Sequence, residues 1–159
     1  MISQLKQFVP SNVCLKCDGC CRFQLSDSPW RPKVGEQELK EGVDPEGYLK
    51  TIPQGGHHQC THFNQTDNTC GVYSKRPFEC ALYPFIISSS SRGVEVYVHL
   101  ACPYVQENEI KPEMQEYILY LKNFLNQLPT KAFLTNNSRL LHDYTPFNNE
   151  LKFLFRIEG

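Results

Sequence analysis

Eight cysteines dominate the chemistry that this sequence offers, and four of them fall close together near the N-terminus. Cys14, Cys17, Cys20 and Cys21 follow the spacing C-x-x-C-x-x-C-C. A two-residue spacer lets a loop turn two thiolates toward one ion, and three cysteines so spaced are what one loop gives to a cubane iron–sulfur cluster. Because adjacent side chains diverge, we do not expect Cys20 and Cys21 to serve one site equally, and one of them faces a second site or is a spare thiol.

The remaining cysteines come singly, at Cys60, Cys70, Cys80 and Cys102. A single cysteine cannot chelate alone, but it can complete a site that the N-terminal loop begins. Four thiolates form the usual closed shell of a zinc site and of a cubane cluster, so eight thiols predict two centres, or one centre with four structural thiols. All eight cysteines are therefore predicted metal ligands.

The choice between zinc and an iron–sulfur cluster depends on how the cysteines downstream of the N-terminal run are spaced. Zinc ribbons usually pair two C-x₂₋₄-C knuckles on separate hairpins, whereas this chain has knuckles only at its N-terminal end. That difference favours an iron–sulfur cluster, with 4Fe–4S as the cluster type, over zinc. His57, His58 and His62 lie around Cys60 in sequence and are further candidate ligands.

Composition and charge limit the binding partners and the cellular compartment that we expect for this protein. The 159 residues carry a formal net charge of −1, which argues against bulk electrostatic binding to nucleic acid or to a membrane surface. No run of about 18 apolar residues occurs, and Met1–Pro10 lacks the layout of a secretory signal. We therefore expect a cytoplasmic protein whose thiols stay reduced and bind metal. A protein partner and an enzymatic role are left open, since no catalytic motif is apparent.

Turn chemistry and periodicity predict an α+β fold, a small irregular domain stabilised by metal. The segment Val34–Gly42 reads as a short helix ending at glycine. An Asn/Asp-rich tip predicts a hairpin between Cys60 and Cys70, with both cysteines on its strands. A second hairpin is predicted from Phe85 to Leu100, with its turn at 88–93.

An amphipathic helix is predicted to begin at Pro112 and to end at Pro129. Its apolar stripe consists of Met114, Tyr117, Ile118, Leu121, Phe124, Leu125 and Leu128. The later runs 139–144 and 151–157 fit either a strand or a helix. These elements predict a metal-binding cysteine-cluster domain at 1–110, followed at 111–159 by a helix and extension that pack on the same domain.

Two motifs resemble those of a known family. The run Cys14-Leu-Lys-Cys17-Asp-Gly-Cys20-Cys21-Arg22 resembles the signature of the YkgJ-type cysteine-cluster proteins, which are zinc- or iron-chelating domains. The stretch from Cys70 to Pro84 is similar to their second signature, a Cys-x-x-Tyr turn followed by Arg-Pro-x-x-Cys-x-x-aromatic-Pro. Cys60 and Cys102 fall where that family has its other cysteines. The resemblance spans about residues 14–105 and implies metal chelation.

Two functions are compatible with these residues. The first is an iron–sulfur protein that transfers electrons or supports a partner enzyme. The alternative is a zinc-stabilised interaction module without redox chemistry, in which metal binding supplies folding free energy to a turn-rich chain.

Overall fold

A computed structural model describes residues 5–14 and 21–159 of the chain. The chain divides into two units. The first is Val9–Ala81, and the second is Leu82–Gly159 together with the segment that ends at Phe8. Helices and antiparallel sheets are both present, which confirms the α+β class. The predicted division after residue 110 stays a prediction.

Short strands and turns make up the first unit. Its sheet is antiparallel, with β3 (His57–Cys60) between β1 (Arg22–Phe23) and β2 (Thr51–Gln54). A separate hairpin pairs β4 (Phe63–Asn64) with β5 (Thr69–Cys70). Strands this short contribute few ladder hydrogen bonds, so side-chain packing and turns must hold the unit together.

Short helical segments within the described residues also belong to the first unit. They are α1 (Ser11–Cys14), a 3₁₀ turn at Tyr73–Lys75, and α2 (Phe78–Leu82), whose last residue crosses the boundary between the units. The α2 helix matters for the site because it carries Cys80.

The hairpin predicted between Cys60 and Cys70 is confirmed for one of the two cysteines. Cys70 lies on β5, and the polar tip includes Asn68, whose φ of 55° is in the left-handed region that asparagine tolerates. Cys60 is instead the last residue of β3, which pairs with β1 and β2. The expectation that both cysteines lie on the hairpin is therefore wrong for Cys60.

The predicted helix at Val34–Gly42 is wrong, because this segment forms turns and bends between isolated bridges at Lys33 and Val43. The Glu38 carboxylate accepts hydrogen bonds from the backbone N–H of Gly35 (2.7 Å) and of Phe78 (2.8 Å). A glutamate that would face solvent on a helix thus fastens this segment to α2. Gly42 does end the segment, with φ at +71°.

A three-stranded antiparallel sheet forms the base of the second unit, in the order β6 (Phe85–Ser90), β7 (Gly93–His99) and β8 (Leu151–Arg156). The predicted hairpin from Phe85 to Leu100 is confirmed, with longer arms and a turn of only residues 91–92. The ambiguous run 151–157 is resolved as the edge strand β8, whereas the run 139–144 contains the end of a 3₁₀ turn.

The helices of the second unit are α3 (Pro103–Asn108), α4 (Pro112–Leu125) and α5 (Leu128–Asn136), with 3₁₀ turns at Ser138–Leu140 and Thr145–Glu150. The predicted start of α4 is confirmed, and most of its stripe is buried. Its predicted end is wrong. Leu128 is 80% exposed and opens α5, because proline at 129 fits the first turn of a helix as well as the position after one.

The segment that ends at Phe8 belongs to the second unit through α4. The backbone N–H of Lys6 donates to the Tyr120 hydroxyl (2.8 Å), and the Tyr117 hydroxyl donates to the Lys6 carbonyl. The Phe8 ring packs against Phe85, Tyr104 and Tyr117. Among the helices in the described ranges, none has both the length and the apolar character to cross a membrane.

Candidate metal centre

Cys60 lies in a small apolar core of the first unit, with only 7% of its surface exposed. It packs there with three apolar side chains, Val34, Leu49 and Phe63. Cys21 and Cys80, both partly buried, pack against this same core. Three cysteines that are far apart in sequence therefore come together at one place.

A fourth cysteine, Cys70, reaches the same neighbourhood through the β4–β5 hairpin. It pairs across the hairpin with Phe63, which belongs to the core that contains Cys60. The two cysteines are close enough for a charge on Cys70 to act on the Cys60 thiol. Cys21, Cys60 and Cys70 form no disulfide within the described residues.

Effects of opposite sign shift the pKa of the Cys60 thiol. Burial raises the pKa of the Cys60 thiol, and Coulombic repulsion from Cys70 raises that pKa further. Backbone N–H groups of His62 and Phe63 donate hydrogen bonds to the sulfur and act in the opposite direction. His62 and Phe63 follow Cys60 by two and three positions, so a tight turn directs their N–H groups back toward Cys60. Burial is the largest of these effects, so the pKa of the Cys60 thiol is raised overall, and a metal ion bound there would displace the thiol proton.

Backbone hydrogen bonds hold this turn from two sides. Gly71, which directly follows Cys70, donates its N–H to the His62 carbonyl (2.8 Å). The His62 ring nitrogen Nε2 lies 2.8 Å from the Glu41 carbonyl oxygen, to which it donates a hydrogen bond. The predicted candidate ligand His62 therefore uses one ring nitrogen to fix the turn.

The other two candidate histidines lie on β3. His57 Nε2 and His58 Nδ1 are buried, and within the described part of the chain neither nitrogen has a hydrogen-bond partner. Their neighbour Gln59 donates from its side-chain amide to the Phe63 carbonyl (3.4 Å) and so supports the core at Phe63. None of these contacts involves a cysteine.

Cys80 neighbours a buried ion pair that sequence reasoning missed. Lys33, 2% exposed, places Nζ 2.8 Å from Glu79 Oε1, and its backbone N–H donates to Glu79 Oε2. Burial raises the pKa of Glu79, while Lys33 opposes that shift. The partners are distant in sequence, so no local pattern indicates the pair. It fixes the position of α2, and with it the position of Cys80.

Two arginines that lie within four residues of a cysteine in sequence contact aromatic rings. The Arg22 guanidinium carbon is 5.4 Å from the centre of the Phe63 ring, and that of Arg76 is 4.0 Å from the centre of the Tyr73 ring. Stacking of this kind holds a positive charge near an otherwise apolar surface. Lys16, a further basic residue beside the cysteines, lies outside the described residues.

The remaining predicted ligands fall into two groups. Cys17, Cys20 and the thiol of Cys14 lie outside the described residues. Cys102 is in the second unit, where it is buried and precedes the first residue of α3. Over residues 5–14 and 21–159, no three His, Cys, Asp or Glu side chains form a group that could hold a metal ion.

Within the described residues, the thiols of Cys21, Cys60 and Cys80 thus gather on one small core without forming a complete metal site. The chain belongs to the CxxCxxCC family, described as a "Putative zinc- or iron-chelating domain", whose model matches residues 13–116. The matched range contains all eight cysteines. Neither the curated proteins nor the solved structures contain a match to this chain.

Proposed function

We propose that this chain carries an iron–sulfur cluster, of the 4Fe–4S type, and uses it to transfer electrons or to support a partner enzyme in the cytoplasm. Family membership establishes zinc or iron chelation as the coarser function. The observation that carries the finer proposal is the meeting of Cys21, Cys60 and Cys80 on one apolar core.

The donor set supports a cluster because it is rich in sulfur. Cys70 adds a fourth thiol beside Cys60, and the C-x-x-C-x-x-C run from Cys14 to Cys20 supplies three more. No described group of three ligands suffices to hold an ion, so we assign the rest of the centre to that run. Thiolate ligation of this kind is characteristic of iron–sulfur clusters.

The residues around the sulfurs have separate tasks in this proposal. A bound cluster would supply one-electron exchange. The core residues Val34, Leu49 and Phe63 exclude water from Cys60. The N–H groups of His62 and Phe63 stabilise negative charge on its sulfur. Lys33 and Glu79 hold α2, which presents Cys80.

Iron and acid-labile sulfide analysis of anaerobically purified protein tests this proposal. We expect iron and sulfide in equal amounts, a brown colour, and loss of that colour on reduction with dithionite. A colourless protein that contains stoichiometric zinc and no sulfide would contradict the iron–sulfur assignment while leaving metal chelation intact.

A structural zinc site is the second candidate, and the sparse secondary structure of the first unit favours it. Strands β1, β4 and β5 have two residues each, which leaves this unit dependent on other cross-links. If zinc supplies them, a chelator should unfold residues 9–81 and abolish binding of a protein partner. Amide hydrogen exchange that is the same with and without chelator would contradict the zinc-stabilised module.

A further inference from the structure

We infer that Cys21 and Cys60 form a reversible disulfide when no metal holds them, and that this bond closes the proposed centre. The disulfide follows from the positions of the two cysteines alone. Its effect on metal binding rests on the proposed function, in which both thiols are ligands.

The antiparallel pairing of β1 with β3 brings Cys21 beside Cys60. In this pairing Arg22 lies opposite Gln59. Cys21 directly precedes Arg22, and Cys60 directly follows Gln59. The same register therefore makes the two cysteines the next facing positions. Facing residues of antiparallel strands have Cα atoms about 4.5–5.5 Å apart, which lies within the span of about 4.4–6.8 Å that a disulfide bridges.

Packing against one core is an independent reason to pair these two thiols. Cys21 packs against the apolar core that contains Cys60, so both side chains lie on the same side of the strand pair. Cys80 packs against this core as well, but it comes from α2 and not from the end of β1. The strand register therefore selects Cys21 over Cys80 as the partner of Cys60.

The unequal exposure of the two thiols sets the order of the reaction. Cys21 is partly buried, whereas Cys60 is only 7% exposed, so an oxidant in solution reaches Cys21 first. We take this oxidant to be a small disulfide such as glutathione disulfide.

Two exchange steps form the protein disulfide. The Cys21 sulfur attacks glutathione disulfide, whose S–S bond breaks, and one glutathione leaves with the proton that Cys21 gave up. The Cys60 sulfur then attacks the mixed disulfide at the Cys21 sulfur, and the second glutathione leaves with the Cys60 proton. Two protein thiols are oxidised to one disulfide, and one glutathione disulfide is reduced to two thiols, with no net change in protons.

The disulfide and the metal compete for the same two sulfurs. The thiolate is the form of cysteine that binds metal, and a sulfur in a disulfide is no longer a thiolate. A bound metal therefore protects Cys21 and Cys60 from exchange, and oxidation of the metal-free chain prevents metal uptake until a reductant restores the thiols. The redox state of the surrounding thiols thus controls how much of the protein takes up metal.

Disulfide mapping of the full-length chain tests the pairing. The chain is reduced, stripped of metal with a chelator and exposed to glutathione disulfide, and the remaining thiols are alkylated before digestion and mass spectrometry. Cleavage at Asp67 separates Cys60 from Cys70, and fragment ions distinguish Cys20 from Cys21. We expect a link between Cys21 and Cys60 as the main product. A Cys60 that is alkylated, or that is linked mainly to another cysteine, would overturn the inference.

Cys21→Ser and the matched control Cys80→Ser separate the strand register from mere proximity to the core. We expect Cys21→Ser to lose the disulfide at Cys60 and Cys80→Ser to keep it. Oxidation of the wild type in denaturant is a further control, because the entropy of loop closure then favours cysteines close in sequence, such as Cys60 and Cys70. The same yield of the Cys21–Cys60 link in denaturant would contradict a pairing set by the fold.

Anaerobic Co²⁺ titration of the oxidised and reduced wild type tests the effect on the centre. We expect the oxidised chain to bind less Co²⁺, with weaker sulfur-to-cobalt charge-transfer absorption, and dithiothreitol to restore both. Equal Co²⁺ binding by the two forms would overturn the closure of the centre by the disulfide.

The two experiments separate this inference from the proposed function. A reduced chain that binds no metal but forms the Cys21–Cys60 link contradicts the proposed function and leaves the pairing intact. A reduced chain that binds Co²⁺ and forms no such link leaves the proposed function intact and overturns the inference.

Discussion

At the scale of single residues, Cys60 and Cys102 are equally buried but have different surroundings. Cys60 is 7% exposed among other cysteines, whereas Cys102 is 6% exposed in the second unit, just before α3. We expect Cys60→Ser to lower the metal content per chain, because a hydroxyl is a poor ligand for ions that prefer thiolate. Elemental analysis of protein prepared under one protocol measures the effect.

Cys102→Ser is the matched change at the second buried cysteine. If Cys102 is a ligand, as the sequence predicts, its substitution also lowers the metal content. A metal content that falls in Cys60→Ser but not in Cys102→Ser would show that Cys102 is a buried thiol of the core and not a ligand. Unchanged metal in both variants would contradict the assignment of Cys60 to the centre.

Gly42 supports the turn beside Cys60, and its substitution has a predictable cost. Its φ of +71° disfavours any other residue, and an alanine Cβ would also clash with His62 and Thr61. We expect Gly42→Ala to lower the free energy of unfolding by about 1–3 kcal/mol, as measured by denaturant titration.

Two other glycines distinguish the cost of a positive φ from the cost of the Cβ clash. Gly55 has φ of +63° but open space around it, so Gly55→Ala should show only the backbone cost. Gly56 has neither constraint, and Gly56→Ala should be close to neutral. Equal destabilisation by all three substitutions would contradict the proposed contact between residue 42 and the turn.

At the scale of elements, Glu95 links strands β7 and β8. Its carboxylate accepts hydrogen bonds from Arg156 Nη2 (2.8 Å) and from the Tyr97 hydroxyl (3.1 Å), and the hydrogen bond from Arg156 is the main cause of its lowered pKa. A carboxyl group whose pKa falls on folding stabilises the protein above its unfolded value of about 4.3, and this contribution disappears as the pH falls through the folded pKa.

Glu95→Gln tests this linkage. We expect the variant to be less stable than the wild type at pH 7, and the difference in unfolding free energy to shrink steadily below about pH 4.3. Thermal or urea unfolding at a series of pH values measures it. A difference that stays constant down to acid pH would contradict the role assigned to the Glu95 carboxylate.

Elements set by local chemistry could be predicted from the sequence. The β6–β7 hairpin follows from alternating residues around a turn, and the start of α4 follows from Pro112. The segment Val34–Gly42 could not be predicted, since Glu38 bonds to the N–H of Phe78, which is distant in sequence. The prediction that α4 extends to Pro129 is wrong because proline occurs both after the end of a helix and in the first turn of one.

At the scale of the whole molecule, cysteine spacing predicts a metal ligand set but not which thiols meet. Cys21 and Cys80 join Cys60 through strand pairing and through the Lys33–Glu79 ion pair, and neither has a local signature. The sequence therefore indicates the kind of site, while the arrangement of its donors comes only from the fold. The approach of the His62 and Phe63 backbone N–H groups to Cys60 likewise comes from the fold and has no signature in the sequence.

X-ray absorption spectroscopy of the metal in the anaerobically purified chain tests the central claim, that thiolates hold the metal. We predict a first shell of sulfur atoms at about 2.3 Å, and for the iron–sulfur form an additional iron–iron distance. A first shell of nitrogen or oxygen at about 2.0–2.2 Å, or a chain that carries no metal, would contradict it.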